Sequence, residues 1–236
     1  MEHTPAKIQN MVFAFLGLSA LSVALGSGLV NPFGLFLAVI GFLALVAAFR
    51  PNSGALFLLY CGVSVLSVLL ALYLIVGGLQ GGRSMYLPNP VKDIVSGLSG
   101  VSFVVALFFH YKTLFAGSVT AFRWACLCIS IMAVLSAIPE LLNPGRVPIG
   151  MRSLVFALIP LSYVVLPSNV GLGIVALSLF VWRAVDISDV IERIETVQLQ
   201  NIQMSDMMYL IPAGSILFSI AVFLDIYRIH LLRRGG

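Results

Sequence analysis

Few side chains in this sequence could do chemistry. Asp225 stands three residues before Arg228 in the last apolar run; an acid inside a membrane span is a functional candidate by default, and the same spacing lets the two pair at a membrane interface. The histidines, His3, His110 and His230, are far apart. Paired carboxylates, His/Cys/Asp/Glu ligand spacings, nucleophile elbows and phosphate-binding loops do not occur. Catalytic, cofactor-binding and metal-binding residues are therefore not assigned, and no cofactor is expected. Three Asn-Pro steps, Asn31-Pro32, Asn89-Pro90 and Asn143-Pro144, are more informative. A helix interrupted at such a step exposes amides and carbonyls that can line a passage, although each step also reads as a plain turn. The candidates for lining a passage or packing helices are Asn31, Pro32, Asn52, Gly97, Gly100, His110 and Asp225.

The elements that must position these residues are membrane helices. Of the residues, 60% are apolar and only 9% charged, and the mean hydropathy is +1.09. Such composition belongs to a polytopic membrane protein. The formal charge of +4 is spread over 13 basic residues without a Lys/Arg-rich run, which excludes a nucleic-acid footprint. Cys61, Cys126 and Cys128 all fall inside apolar runs and imply no disulfide framework. One membrane domain spanning residues 1–236 is the economical count.

The organising stretch is Asn31 to Gly77, with apolar runs from Leu35 to Phe49 and from Ala55 to Val76 around the break Arg50-Pro51-Asn52-Ser53-Gly54. With their flanks, such runs match what a helix rising about 1.5 Å per residue needs to cross a hydrocarbon core of about 30 Å. Before it, Met11 to Val30 reads as an uncleaved first helix, although Lys7, the apolar run and Ala24-Leu25-Gly26 also mimic a signal peptide. After a glycine-rich loop at Gly77 to Pro90, a fourth span covers about Asp93 to Thr113. Its Ser96 and Gly100 make a small-xxx-small pair suited to close helix packing. A fifth span, about Val119 to Ile138, is expected to stop at Pro139.

Met151 to Leu166, interrupted by Pro160, and Val170 to Val181 are shorter runs that either cross obliquely or re-enter. From about 185 to 197 the texture becomes amphipathic and acidic: Ile187, Val190, Ile191, Ile194 and Val197 share one face, and Asp186, Asp189, Glu192 and Glu195 the other. This segment reads as a helix outside the hydrocarbon core. The last span is about Met208 to Ile226, followed by a tail with Arg228, His230, Arg233 and Arg234. By the positive-inside bias the C-terminus is cytoplasmic. The expected fold is thus an all-α polytopic membrane protein of about eight transmembrane helices, with six or seven compatible with the short runs.

The two halves also align. Val46 to Ala55 can be laid against Leu161 to Val170, and Gly100 to Leu107 against Gly214 to Ala221, as a four-plus-four internal repeat would require.

The stretch from Asn31 to Gly117 resembles the acetate uptake transporter family. The resemblance is carried by Arg50, Asn52 and Ala55-Leu56-Phe57-Leu58-Leu59, then by Lys92, Gly97, Gly100, Tyr111 and Ala116-Gly117. Asn31-Pro32-Phe33-Gly34-Leu35 is similar to the Asn-Pro-Ala-Pro-Leu-Gly-Leu run of that family. The resemblance implies a helical membrane protein carrying small monocarboxylates.

Two functional expectations follow. The first is a transport protein or channel for a small solute, with a monocarboxylate as the class the resemblance implies. The second is a non-catalytic accessory subunit whose small-residue faces pack against other membrane proteins or further copies of itself. An enzyme comes third, because its polar groups would have to converge from distant spans. The lipid bilayer is the one partner both main readings require.

Overall fold

A computed structural model describes residues 3–28, 32–50, 54–80, 90–143, 145, 147–166, 168–196 and 210–235. Within them lie eight helices: α1 (His3–Ser27), α2 (Pro32–Phe49), α3 (Gly54–Leu79), α4 (Pro90–Ala116), α5 (Val119–Leu141), α6 (Val147–Val165), α7 (Asn169–Thr196) and α8 (Leu210–Gly235). Six of them, α1, α3, α4, α5, α6 and α8, are long and apolar enough to cross a membrane, while α2 and the apolar part of α7 are shorter. Helices are what such runs must form, since a lipid-exposed backbone has to satisfy its polar groups internally. The fold is all-α and polytopic.

Several boundaries differ from the sequence reading. Helix α1 begins at His3, so the polar opening is part of it, and Ile8 is buried. Proline does not end or interrupt helices here: α5 runs through Pro139 to Leu141, and α6 runs through Pro160 to Val165. Both prolines are buried, where neighbouring protein supports the loss of one backbone bond. The acidic segment is not a separate element, because α7 continues through it to Thr196. Its side chains lie outside the described residues. The proposed tail is likewise helical, and Arg228, Ile229 and His230 are buried.

The α4–α5 turn shows how local chemistry sets the connections. Gly117 takes the left-handed conformation (φ 60°), and its amide donates to the Thr113 carbonyl at 3.0 Å. Ser118 then caps α5, its hydroxyl accepting from the Ala121 amide at 3.2 Å. The Asn143-Pro144-Gly145 step reads as a turn in part: the Gly145 amide donates to the Asn143 side chain at 3.2 Å, and Pro144 lies outside the described residues.

The chain forms two compact units, Met1–Leu59 with Leu179–Gly236, and Tyr60–Ser178. The same pieces build each. In the first, α1, α2 and the beginning of α3 join the end of α7 and α8; in the second, α5, α6 and the beginning of α7 join the end of α3 and α4. Advancing by four helices converts one list into the other. Packing follows the same rule, with α1 on α2 and α8 in the first unit and α5 on α6 and α4 in the second.

Helix boundaries obey it as well, and the crossings match helix by helix, though not residue by residue. A near-constant advance carries Pro32, Phe49 and Gly54, which bound α2 and open α3, to Val147, Val165 and Asn169, which bound α6 and open α7. Where α1 crosses α2, a Cβ on Gly17 or Gly41 would lie 2.9 Å from the carbonyl oxygen of the other. The matching crossing of α5 and α6 has the Ser130 hydroxyl donating to the Ala157 carbonyl at 2.9 Å. Where α1 meets α8, the Ser19 hydroxyl donates to the Gly214 carbonyl at 2.6 Å; where α5 meets α4, the Ser99 hydroxyl donates to the Met132 carbonyl at 3.3 Å. This correspondence is the one a four-plus-four repeat produces, with each repeat sharing its helices between both units.

Candidate functional site

In the second unit α3 and α4 approach through small residues. A Cβ on Gly97 would meet the Ala71 carbonyl at 2.8 Å and Ile75 at 2.5 Å, and one on Gly100 would meet the Ala71 Cβ at 3.1 Å. With little hydrophobic drive between helices in lipid, such close backbone approach is what holds them. Beside this seam lies a cleft of about 230 Å³, lined on α3 by Ser67 and Leu74, on α4 by Ser96, Ser99 and Phe103, and on α5 by Met132. Ser99 is buried, and its Oγ lies 2.6 Å from the Ser136 Oγ. Among the described residues no charged side chain lines the cleft. Ser67, Phe103 and Met132 all stand near the middles of their helices, which places the cleft at mid-span.

The stripes that line the cleft continue toward one end. Tyr60, Ser67 and Leu74 recur every seventh residue on α3, as do Ser96, Phe103 and His110 on α4, and that step is about two helical turns. The first member on α3 meets the last on α4: the Tyr60 hydroxyl hydrogen-bonds His110 Nδ1, and the two rings stack with centroids 5.9 Å apart. Tyr111 packs edge-on against Tyr60 and in turn touches Phe115. An aromatic group with one polar pair thus sits about two turns from Ser67.

The first unit is built differently at the corresponding place. The advance that takes Gly54 to Asn169 takes Ser67 to Trp182, and the one that takes Gly100 to Gly214 takes Ser96 and Ser99 to Leu210 and Ala213. The Arg183 guanidinium lies 3.5 Å over the Trp182 ring, and Arg183 Nε donates to Ser219 at 2.8 Å. Further along α8, Arg228 donates through Nε (3.0 Å) and Nη2 (2.8 Å) to a single Asp225 oxygen. Arg228 is 3% exposed and Asp225 9%, so this ion pair is buried in protein instead of resting at a wet interface.

Of the residues singled out in the sequence, Gly97 and Gly100 share the α3–α4 seam, Gly100 also lines the cleft, and His110 closes the aromatic group. Asp225 belongs to the first unit with Arg228. Pro32 opens α2, where its missing amide hydrogen costs nothing. Asn31 and Asn52 lie outside the described residues. The structure adds further residues. A second acid lies within a span: Asp93 is in the first turn of α4 and wholly buried, at the helix end that favours a carboxylate. Tyr60 and Ser67 are signalled in the sequence by the seven-residue recurrence, whereas nothing in that pattern signals Ser99.

Among the described residues no group of three His, Cys, Asp or Glu side chains is placed to hold a metal. Helices, composition and an uncharged mid-span cleft define a multi-pass integral membrane protein. No family model, curated protein or solved structure matches the chain.

Proposed function

We propose that the protein carries a small solute across its membrane through the second unit. The reading is supported above all by the serine-lined cleft at mid-span of the second unit, in a chain whose two halves align as four helices plus four. Internally repeated helical proteins of this kind include many secondary transporters, which hold their substrates near the bilayer midplane. Short monocarboxylic acids are the first solutes to try, because of the resemblance over residues 31–117 to acetate uptake transporters.

The experiment is solute flux into proteoliposomes holding the purified full chain, with a panel of small monocarboxylic acids, polyols and amides. Flux above that of empty liposomes is expected for at least one member. Equal rates with and without protein across the panel would sink the transport reading.

A further inference from the structure

We infer that the solute bound in the α3–α4–α5 cleft is a small uncharged molecule that both donates and accepts hydrogen bonds. The inference rests on the transport reading above and names its substrate class. Among the described residues the lining offers hydroxyls from Ser67 and Ser96, with Ser99 already bonded to Met132 and Ser136, bounded by the apolar walls of Leu74, Phe103 and Met132, and no cation or carboxylate. An ion moved to this depth would lose its water without a countercharge, whereas hydroxyls can replace the hydration of a neutral polar group. The cations nearest in sequence lie elsewhere. Lys92, one turn before Ser96, does not line the cleft, and Lys112 sits over the Phe108 ring at the far end of α4. A short carboxylic acid would therefore enter protonated.

Size and asymmetry point the same way. About 230 Å³ is below the range of about 300–1,000 Å³ typical for drug-sized ligands, so the occupant is smaller than these. If the serines served only helix packing, the corresponding positions of the first unit would be expected to keep small polar residues. They carry Trp182, Leu210 and Ala213 instead, and the hydroxyls of Ser215 and Ser219 stand at other positions of α8, bonded to the Pro212 and Ser215 carbonyls.

The test measures urea and glycerol entry by light scattering and acetate entry driven by a potassium-diffusion potential. It uses proteoliposomes of the full chain and of Ser67→Leu, Ser96→Leu and Ser67→Ala variants that remain monodisperse in detergent. Protein-dependent urea or glycerol entry is expected, falling at least about tenfold in the leucine variants, which remove both hydroxyl and space, and less in Ser67→Ala. Potential-driven acetate entry without urea or glycerol entry would overturn the uncharged class while leaving transport standing. Urea and glycerol entry indifferent to all three substitutions would remove the cleft as the site. Should neither the neutral solutes nor acetate cross, this inference falls, and the transport reading falls with it once the rest of the panel is equally inert.

Discussion

The Ser19 hydroxyl reaches the carbonyl oxygen of Gly214, 195 residues away in sequence, at 2.6 Å. So short a contact between α1 and α8 exists because Gly214 has no side chain: a Cβ there would stand 2.8 Å from the Ser19 carbonyl and 2.8 Å from a Val23 methyl. Gly214→Val is accordingly expected to overpack this seam and cost about 1–3 kcal/mol, read as a lower unfolding midpoint in detergent. An unchanged midpoint would mean that the seam relaxes freely.

The Asp225–Arg228 pair is buried, so its two members are expected to depend on each other. Asp225→Asn leaves a buried guanidinium without its countercharge and should cost about 3–5 kcal/mol. Replacing both residues by leucine should cost less than Asp225→Asn alone, since no charge is then left in protein. Equal losses for the single and double variants would show that other contacts of Asp225 or Arg228 dominate.

At the end of the cleft stripes, Tyr60→Phe removes one hydroxyl and leaves the ring. A loss of about 0.5–1.5 kcal/mol is expected, the net scale of one intramolecular hydrogen bond. In a double-mutant cycle with His110→Phe the same bond should appear as the coupling energy. Additive losses would show that the stacked rings, and not the hydrogen bond, hold α3 to α4 there.

Topology is testable through the ends of α7 and α8. Single cysteines at Asp189 and Gly236, in a background lacking Cys61, Cys126 and Cys128, are expected to react with a membrane-impermeant thiol reagent from opposite sides, with Gly236 on the cytoplasmic face. Labelling of both from one side would remove one crossing from the eight expected.

Whether helices form, and roughly where, is a local matter, and the sequence by itself determined it. The cost of placing a residue in hydrocarbon is counted run by run, so charge-free stretches such as Leu35 to Phe49 and Ala55 to Val76 announce α2 and α3 without reference to the rest of the chain. The spacing of Asp225 and Arg228 was legible for the same reason, since three residues along a helix bring two side chains onto one face. The alignment of the two halves, such as Gly100 with Gly214, was also legible along the chain.

Which helices meet, and by which face, was decided only in three dimensions. A helix apolar all round has no face that water selects, so hydropathy says nothing of whether Ser67 looks at lipid or at Ser96. Pro139 and Pro160 were misleading because their cost depends on surroundings: in water a proline usually ends a helix, whereas inside packed protein the helix runs on. Asp93 escaped notice for the same reason, its burial being set by where α3 and α4 touch. The serine cleft is the clearest case. Its lining comes from three helices, and its contrast with Trp182, Leu210 and Ala213 emerges only once the two repeats are seen to share their helices between both units.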